Sequence, residues 1–212
     1  MTVFSAPAFD EHELVTFCSD RDSGLRAIIA VHNSALGPAV GGCRMFPYAS
    51  DTEALHDVLR LSRGMTYKSA LAGLPMGGGK SVIIGDPKSQ KSRALLLAMG
   101  DFINSQNGRY VAAEDSGTGV EDIRVMSERT AWVSGMDDNE YGGDPSPSTA
   151  LGVFLAAESP DLQVQDMSNS HFRDCRRGVR QLQGSIGFRV DSRDLDHARA
   201  MAEYAKLGCR GI

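Results

Sequence analysis

Two lysines lie twelve residues apart in segments that suit the binding of a small anion. Lys80 follows three consecutive glycines, and we interpret this run as a turn without side chains beside a substrate. In such a partly dry pocket the pKa of a lysine falls, so that its amine can act as a general base. Lys68 lies near the end of an amphipathic helix, where it could bind a substrate carboxylate. The alternatives are a solvated surface lysine for Lys80 and a complement to the helix dipole for Lys68.

The glycine run also resembles part of a nucleotide-binding P-loop. That motif requires a glycine at position 74, but Leu74 stands there and Gly73 comes one residue too early. A P-loop lysine opens a helix, whereas Lys80 precedes the apolar strand pattern of residues 82–84. We therefore do not expect nucleoside triphosphate binding.

A carboxylate pair, Glu114 and Asp115, follows another apolar strand pattern. Carboxylates at the C-terminal end of a strand are favoured for functional sites in α/β folds. Asp115 is therefore a third candidate for chemistry. The alternative is that Asp115 or Thr118 caps the next helix.

Apolar periodicity predicts the elements that must position these side chains. Ser50 and Glu53 fit a capping box at the start of the first helix. Alternating strands and helices predict an α/β domain through about residue 157. The expected strands cover 14–18, 25–32, 82–84 and 109–113, and the expected helices cover 50–66, 90–105, 119–130 and 149–157.

Composition excludes several classes of protein. The chain has 212 residues, a net charge of -5 and 42% hydrophobic residues, which is enough apolar material for a core and argues against disorder and nucleic-acid binding. No apolar run approaches the ~20 residues of a membrane helix. Residues 1–10 lack a basic signal-peptide region, and the four cysteines form no metal-binding pattern, so we expect a cytoplasmic protein with reduced thiols and no metal.

Four segments, taken together, resemble the amino-acid dehydrogenase family of glutamate, leucine, phenylalanine and valine dehydrogenases, most nearly its leucine dehydrogenase branch. They come in the family's order and at its spacing, over about residues 10–157. The four are LGPAVGGCRM at 36–45, GMTYKSALAGLPMGGGKSVIIGDP at 64–87, GRYVAAEDSGTGVED at 108–122 and DPSPSTALGV at 144–153.

The resemblance implies NAD-linked oxidative deamination of an L-amino acid to a 2-oxo acid and ammonia. It makes Lys80 the catalytic lysine that activates water and Lys68 the ligand of the substrate α-carboxylate. Asp115 would take part in proton transfer and hold the amino group. Further roles are implied for substrate contact at Gly41 and Gly42, for the side-chain pocket at Val40 and Ala113, for the nicotinamide amide at Thr149, and for the ribose at Asp194.

The resemblance also implies the domain organisation. Residues 1–138 would form the substrate and dimerisation domain, and residues 139–157 a hinge loop and connecting helix. A complete family member continues into a Rossmann domain, but the chain contains no G-x-G-x-x-G motif. We therefore interpret residues 158–212 as an incomplete Rossmann-type fragment, a truncated or disrupted remnant of the NAD-binding domain. A shifted reading frame over 158–193 and true divergence are both open explanations.

The small side chains of Val40 and Ala113 favour an apolar substrate, and leucine is our first expectation. Phenylalanine and valine remain alternatives, because one methylene changes binding by only ~1–3 kcal/mol. A non-catalytic remnant that binds amino acids is the other alternative, since we expect this chain alone to turn over poorly. The family implies a homo-oligomer, and we expect neither nucleic acid nor membrane as a partner.

Overall fold

The computed structural model describes residues 2–136. After a short 3-10 helix at Val3–Ser5, five strands and three α-helices follow. In chain order they are β1 (Leu14–Asp20), β2 (Leu25–Asn33), β3 (Ala39–Phe46), α1 (Asp51–Leu71), β4 (Gly77–Ile84), α2 (Arg93–Asn104), β5 (Tyr110–Glu114) and α3 (Val120–Ser127).

The five strands form one mixed sheet in the order β1-β2-β4-β3-β5. Strand β3 lies between β4 and β5 and is parallel to both, whereas β2 is antiparallel to β1 and β4. The three parallel strands therefore end at the same edge of the sheet. The predicted α/β class is confirmed for the described residues.

Helices cover both faces of this sheet. Helix α1 packs its buried Ala54, Val58 and Leu59 against Ile28 and Val82 on one face. Helices α2 and α3 bury a larger cluster on the other face. The core side of α2 consists of five buried residues: Leu95, Leu96, Met99, Phe102 and Ile103.

Helix α1 begins as the sequence predicts and ends later. The Ser50 side chain accepts a hydrogen bond from the Glu53 amide at 3.2 Å, which caps the first turn. The Glu53 carboxylate accepts from the Ala49 amide at 2.8 Å, one residue before the expected partner. The helix continues past residue 66 to Leu71, so that Lys68 belongs to its last turn.

The glycine run is part of a strand, and its interpretation as a turn is wrong. Gly77, Gly78 and Gly79 open β4, and close neighbours explain each of them. A Cβ atom at Gly78 would lie 2.1 Å from the Thr66 amide nitrogen, and one at Gly79 would lie 2.6 Å from the Tyr110 ring. These glycines permit close packing of strand, helix and ring rather than a change of chain direction.

The remaining predictions about architecture lie beyond the described part of the chain. The hinge loop and helix over 139–157 and the Rossmann-type fragment over 158–212 fall outside residues 2–136. No helix within those described residues combines the length and the apolar character needed to span a bilayer.

Candidate active site

Four of the candidate residues lie on the face of the sheet that α1 covers. Gly42 is paired with Ala113 across β3 and β5, and Val40 lies two residues earlier on β3. Side chains alternate along a strand, so Lys80 shares the face of Val82, which packs against α1. The pairing of Cys43 with Ser81 then places Lys80 beside Gly42. The sequence-predicted catalytic lysine and pocket residues are thus neighbours.

Lys80 forms an ion pair with Asp115 on this face of the sheet, which α1 covers. The Lys80 Nζ lies 2.7 Å from Asp115 Oδ2. Lys80 is only 5% exposed, so the alternative of a solvated surface lysine is wrong. The alternative role for Asp115 or Thr118 as a helix cap is also wrong, because Gly119 occupies the N-cap of α3. The Thr118 hydroxyl instead contacts the Asp115 amide at 3.0 Å and Cys43 O at 2.7 Å.

The missing side chain of Gly42 makes room for the ion pair. A Cβ atom there would lie 2.6 Å from Asp115 Cβ and 3.0 Å from Lys80 Nζ. The lysine side chain therefore reaches Asp115 across β3, over a position where only glycine fits. This contact gives Gly42 a structural reason to be glycine, beside the predicted contact with substrate.

Gly41 lies on the opposite side of β3, with buried Ala39 and Cys43. A Cβ atom at Gly41 would lie 1.8 Å from the carbonyl oxygen of Gly79, so close strand packing explains this glycine. The Tyr110 hydroxyl donates to Gly41 O at 2.7 Å on the same side. The structure does not bring Gly41 to the face that holds Lys80, and its contact with substrate stays a prediction.

Burial and neighbouring charges shift the protonation equilibria of the pair. Burial lowers the pKa of Lys80 and outweighs the opposing effect of Asp115, and the nearby Arg44 cation lowers it further. Burial alone would raise the pKa of Asp115, but the charges of Lys80 and Arg44 hold it below its usual value. The amine of Lys80 is therefore easier to deprotonate than that of a solvated lysine, which a base requires.

Sequence reasoning missed two residues of this site, Arg44 and Asp57. Arg44 Nε donates to Asp115 Oδ2 at 2.9 Å, and Arg44 Nη1 donates to Asp57 Oδ2 at 2.9 Å. Arg44 is the one charged residue in the apolar and glycine-rich segment 36–45, and that contrast was an available signal. Asp57 is 7% exposed on the inner side of α1, where the helical pattern expects an apolar residue.

Lys68 is half-buried in the last turn of α1. Thr66, two residues before it, rests on Gly78, which is two residues before Lys80. The helix end that carries Lys68 is thus held close to the strand that carries Lys80. The binding of one substrate carboxylate by both lysines stays a prediction.

The residues expected to bind NAD, Thr149 and Asp194, lie outside the described part of the chain. In residues 2–136, the glycine run belongs to a strand packed against a helix and an aromatic ring, so it offers no phosphate cradle at a helix N-terminus. The glycine run is therefore not a dinucleotide-binding loop, and the NAD contacts of Thr149 and Asp194 stay predictions.

Comparison with known proteins identifies the family to which the chain belongs. The family model described as Glu/Leu/Phe/Val dehydrogenase, dimerisation domain, matches residues 12–132, which is more than half of the chain. The chain belongs to the Glu/Leu/Phe/Val dehydrogenase family. The resemblance drawn from the four sequence segments is therefore confirmed. The buried pair of Lys80 and Asp115 lies within the matched range.

Relatives in this dehydrogenase family act on different amino acids, as their names state. The chain is 53% identical over 191 residues to a leucine dehydrogenase of Geobacillus stearothermophilus, covering 83% of this chain and 52% of the relative. It is 56% identical over 144 residues to a valine dehydrogenase of Streptomyces virginiae, covering 68% and 40%. The crystal structure of L-tryptophan dehydrogenase from Nostoc punctiforme matches with a TM-score of 0.58 and 45% identity, covering 69% and 42%. The chain thus spans about half the length of these dehydrogenases or less.

Proposed function

We propose that this chain takes part in the NAD-dependent oxidative deamination of an apolar L-amino acid, with leucine as the first candidate, to a 2-oxo acid and ammonia. The observation that carries the proposal is the buried ion pair of Lys80 and Asp115 beside Gly42, Val40 and Ala113. Family membership and relatives named for amino-acid dehydrogenation support it.

The two charged groups have complementary tasks in this reaction. Lys80, as the neutral amine, takes a proton from the water that adds to the substrate α-carbon after this carbon has lost its hydride and become an imine. Asp115 holds the amino group and accepts or returns the proton at its carboxylate, which lies 2.7 Å from the lysine Nζ. Lys68 binds the α-carboxylate. NAD, when bound, supplies the acceptor for the hydride.

The side chain of the substrate would lie against the small residues of the same face. Val40 and Ala113 flank Gly42 on β3 and β5 without adding a charge that would pair with a second carboxylate. We therefore propose an apolar amino acid rather than glutamate. Leucine, valine and phenylalanine differ by few methylene or ring contacts, and binding in such a pocket separates them by only ~1–3 kcal/mol per methylene.

Production of NADH from L-leucine at alkaline pH tests the proposal, with L-valine, L-phenylalanine and L-glutamate as comparison substrates. We expect this chain alone to turn over slowly, with the apolar substrates faster than L-glutamate. Lys80→Ala should abolish that turnover, and Lys88→Ala, whose lysine is exposed and outside the site, should keep it at the wild-type rate. Near-normal turnover in Lys80→Ala would refute the role of the base. If the wild-type chain binds 2-oxo acids without turnover, the non-catalytic alternative holds and the proposal of catalysis fails.

We also propose that the chain forms a homo-oligomer. The description of the matching family model as a dimerisation domain supports this, and so does strand β1, which has one neighbouring strand in the described sheet and carries Phe17, 57% exposed. Sedimentation analysis of wild type and Phe17→Glu tests it, and a monomer at micromolar concentration would contradict it. The cytoplasmic location stays a prediction.

A further inference from the structure

Arg44 connects the ion pair of the site to a second buried carboxylate. Its Nε donates to Asp115 Oδ2 at 2.9 Å, the same oxygen that lies 2.7 Å from Lys80 Nζ. Its Nη1 donates to Asp57 Oδ2, also at 2.9 Å. One planar guanidinium therefore spans two carboxylates, one directly after β5 and one on α1, a geometry that a flexible lysine ammonium does not reproduce.

The second carboxylate is itself held from several sides. Asp57 accepts from the Tyr48 hydroxyl at 2.7 Å and from Arg60 Nε at 2.9 Å, in addition to Arg44. The side chain of Asp57 is 10% exposed. An anchor with this many bonds leaves Arg44 little freedom to turn away from Asp115, because doing so would leave a buried carboxylate oxygen with fewer partners.

We propose that Arg44, anchored by Asp57, is a positioning residue that orients Asp115 and competes with Lys80 for the same carboxylate oxygen. The inference rests on the proposed function, because it assigns to Arg44 the task of keeping Lys80 available as a base. Because both cations contact the same oxygen, Lys80 and Arg44 share the negative charge of Asp115. Without Arg44, the ammonium form of Lys80 would be more stable.

Other ionisable groups near Lys80 do not account for this effect. Burial raises the pKa of Cys43 on β3 to about 12, so that this thiol is neutral. Burial lowers the pKa of His32 on β2, which favours its neutral ring near pH 7. Lys68 on α1 is a further cation, and it is present in every variant considered below. Arg44 and Asp115 are thus the charges whose removal should change the protonation of Lys80 most.

Titration of Lys80 in the full chain tests the inference directly. The Cε resonances of ¹³C-lysine are followed against pH, and the Lys80 signal is identified by its loss in Lys80→Arg. We expect Arg44→Gln to raise the midpoint of Lys80 by about 1 pH unit, and Arg44→Lys, which keeps the charge without the planar fork, to raise it less. The matched control is Arg26→Gln, which removes an exposed arginine paired with Asp51 away from the site. In Arg26→Gln the pH midpoint of the Lys80 titration should equal that of the wild type.

An unchanged or lowered Lys80 midpoint in Arg44→Gln would overturn the inference. If that variant does not fold, Asp57→Asn provides a second test, since it weakens the anchor that holds Arg44 against Asp115. A raised Lys80 midpoint in Asp57→Asn supports the positioning role of Arg44, and an unchanged or lowered one contradicts it. The titration needs neither substrate nor turnover. An inactive chain would therefore contradict the proposed function while the titration still decides the role of Arg44.

Discussion

Replacing Gly42 with alanine would place a methyl group between the two side chains of the buried ion pair. The new Cβ would lie 2.6 Å from Asp115 Cβ, well under the 3.4 Å at which ordinary contact begins, and 2.8 Å from the carbonyl oxygen of Glu114. The β3 and β5 backbones are hydrogen-bonded at this level, so they yield less readily than a side chain. We expect Asp115 to be pushed away from Lys80 and Arg44.

Two effects of the added methyl group lower the free energy of unfolding. Overpacking of a well-packed site costs typically 1–3 kcal/mol. Loss of a hydrogen bond to a charged group costs about 1.5–3 kcal/mol, and Asp115 Oδ2 takes part in two such contacts. Because the carboxylate can relax in part, we expect Gly42→Ala to lower the free energy of unfolding by about 2–4 kcal/mol. Any dehydrogenase turnover should fall by roughly 100-fold, because a displacement of about 1 Å at a reacting group can cost that much.

Urea denaturation followed by circular dichroism measures the loss of stability. The matched control is Gly85→Ala at the end of β4, where the nearest atoms, 3.1 and 3.2 Å away, are the movable ends of Gln90 and Met45. We expect this control to cost less than about 1 kcal/mol. If Gly42→Ala were as stable as Gly85→Ala, Gly42 would not be needed to accommodate the ion pair, and the argument from its missing side chain would be refuted.

Two further predictions concern acid stability and thiol reactivity. The pKa values of Asp57 and Asp115 lie below the usual value, because bound cations and hydrogen bonds outweigh the effect of burial. The two carboxylates therefore stabilise the folded state above about pH 4, and this stabilisation is lost as the pH falls further. Urea unfolding between about pH 7 and pH 2 should show this loss, and Asp57→Asn should show a smaller one; an equal loss would contradict it. Iodoacetamide should alkylate half-buried Cys18 well before buried Cys43, whose pKa is raised to about 12. Peptide mass spectrometry reads both sites, and equal rates in the folded chain would refute this order.

Local patterns predict most elements of the described domain, but they miss strand β3 (Ala39–Phe46), whose glycines hide its strand pattern. Helix α2 shows a repeat of apolar residues that matches its buried side, and Ser50 marks the start of α1 by its own hydrogen bond. The late end of α1 follows from contacts that no local pattern contains. Thr66 rests on Gly78 of β4, which extends the packed helix beyond the predicted last residue.

Only those residues of the candidate site that carry a signal in the local sequence could be predicted. Lys80 and Asp115 were found by residue type and by their place beside apolar strands. Gly79 was taken for part of a turn because glycine is common in turns, whereas the Tyr110 ring, 31 positions along the chain, explains its presence in a strand. Arg44 was missed because its partners come from the ends of β5 and from α1, and only the folded chain brings them to one place.

The contact between Thr66 and Gly78 has a consequence for motion. Helices usually slide over a sheet through a layer of side chains that can change rotamer. Here the backbone of α1 rests directly on the backbone of β4, so a sliding movement would drive one main chain into the other. We expect the helix and the strand to move as one body, with Lys68 and Lys80 at a constant separation. A ligand that bridges the two lysines would then be selected by its length, because the protein does not close around it.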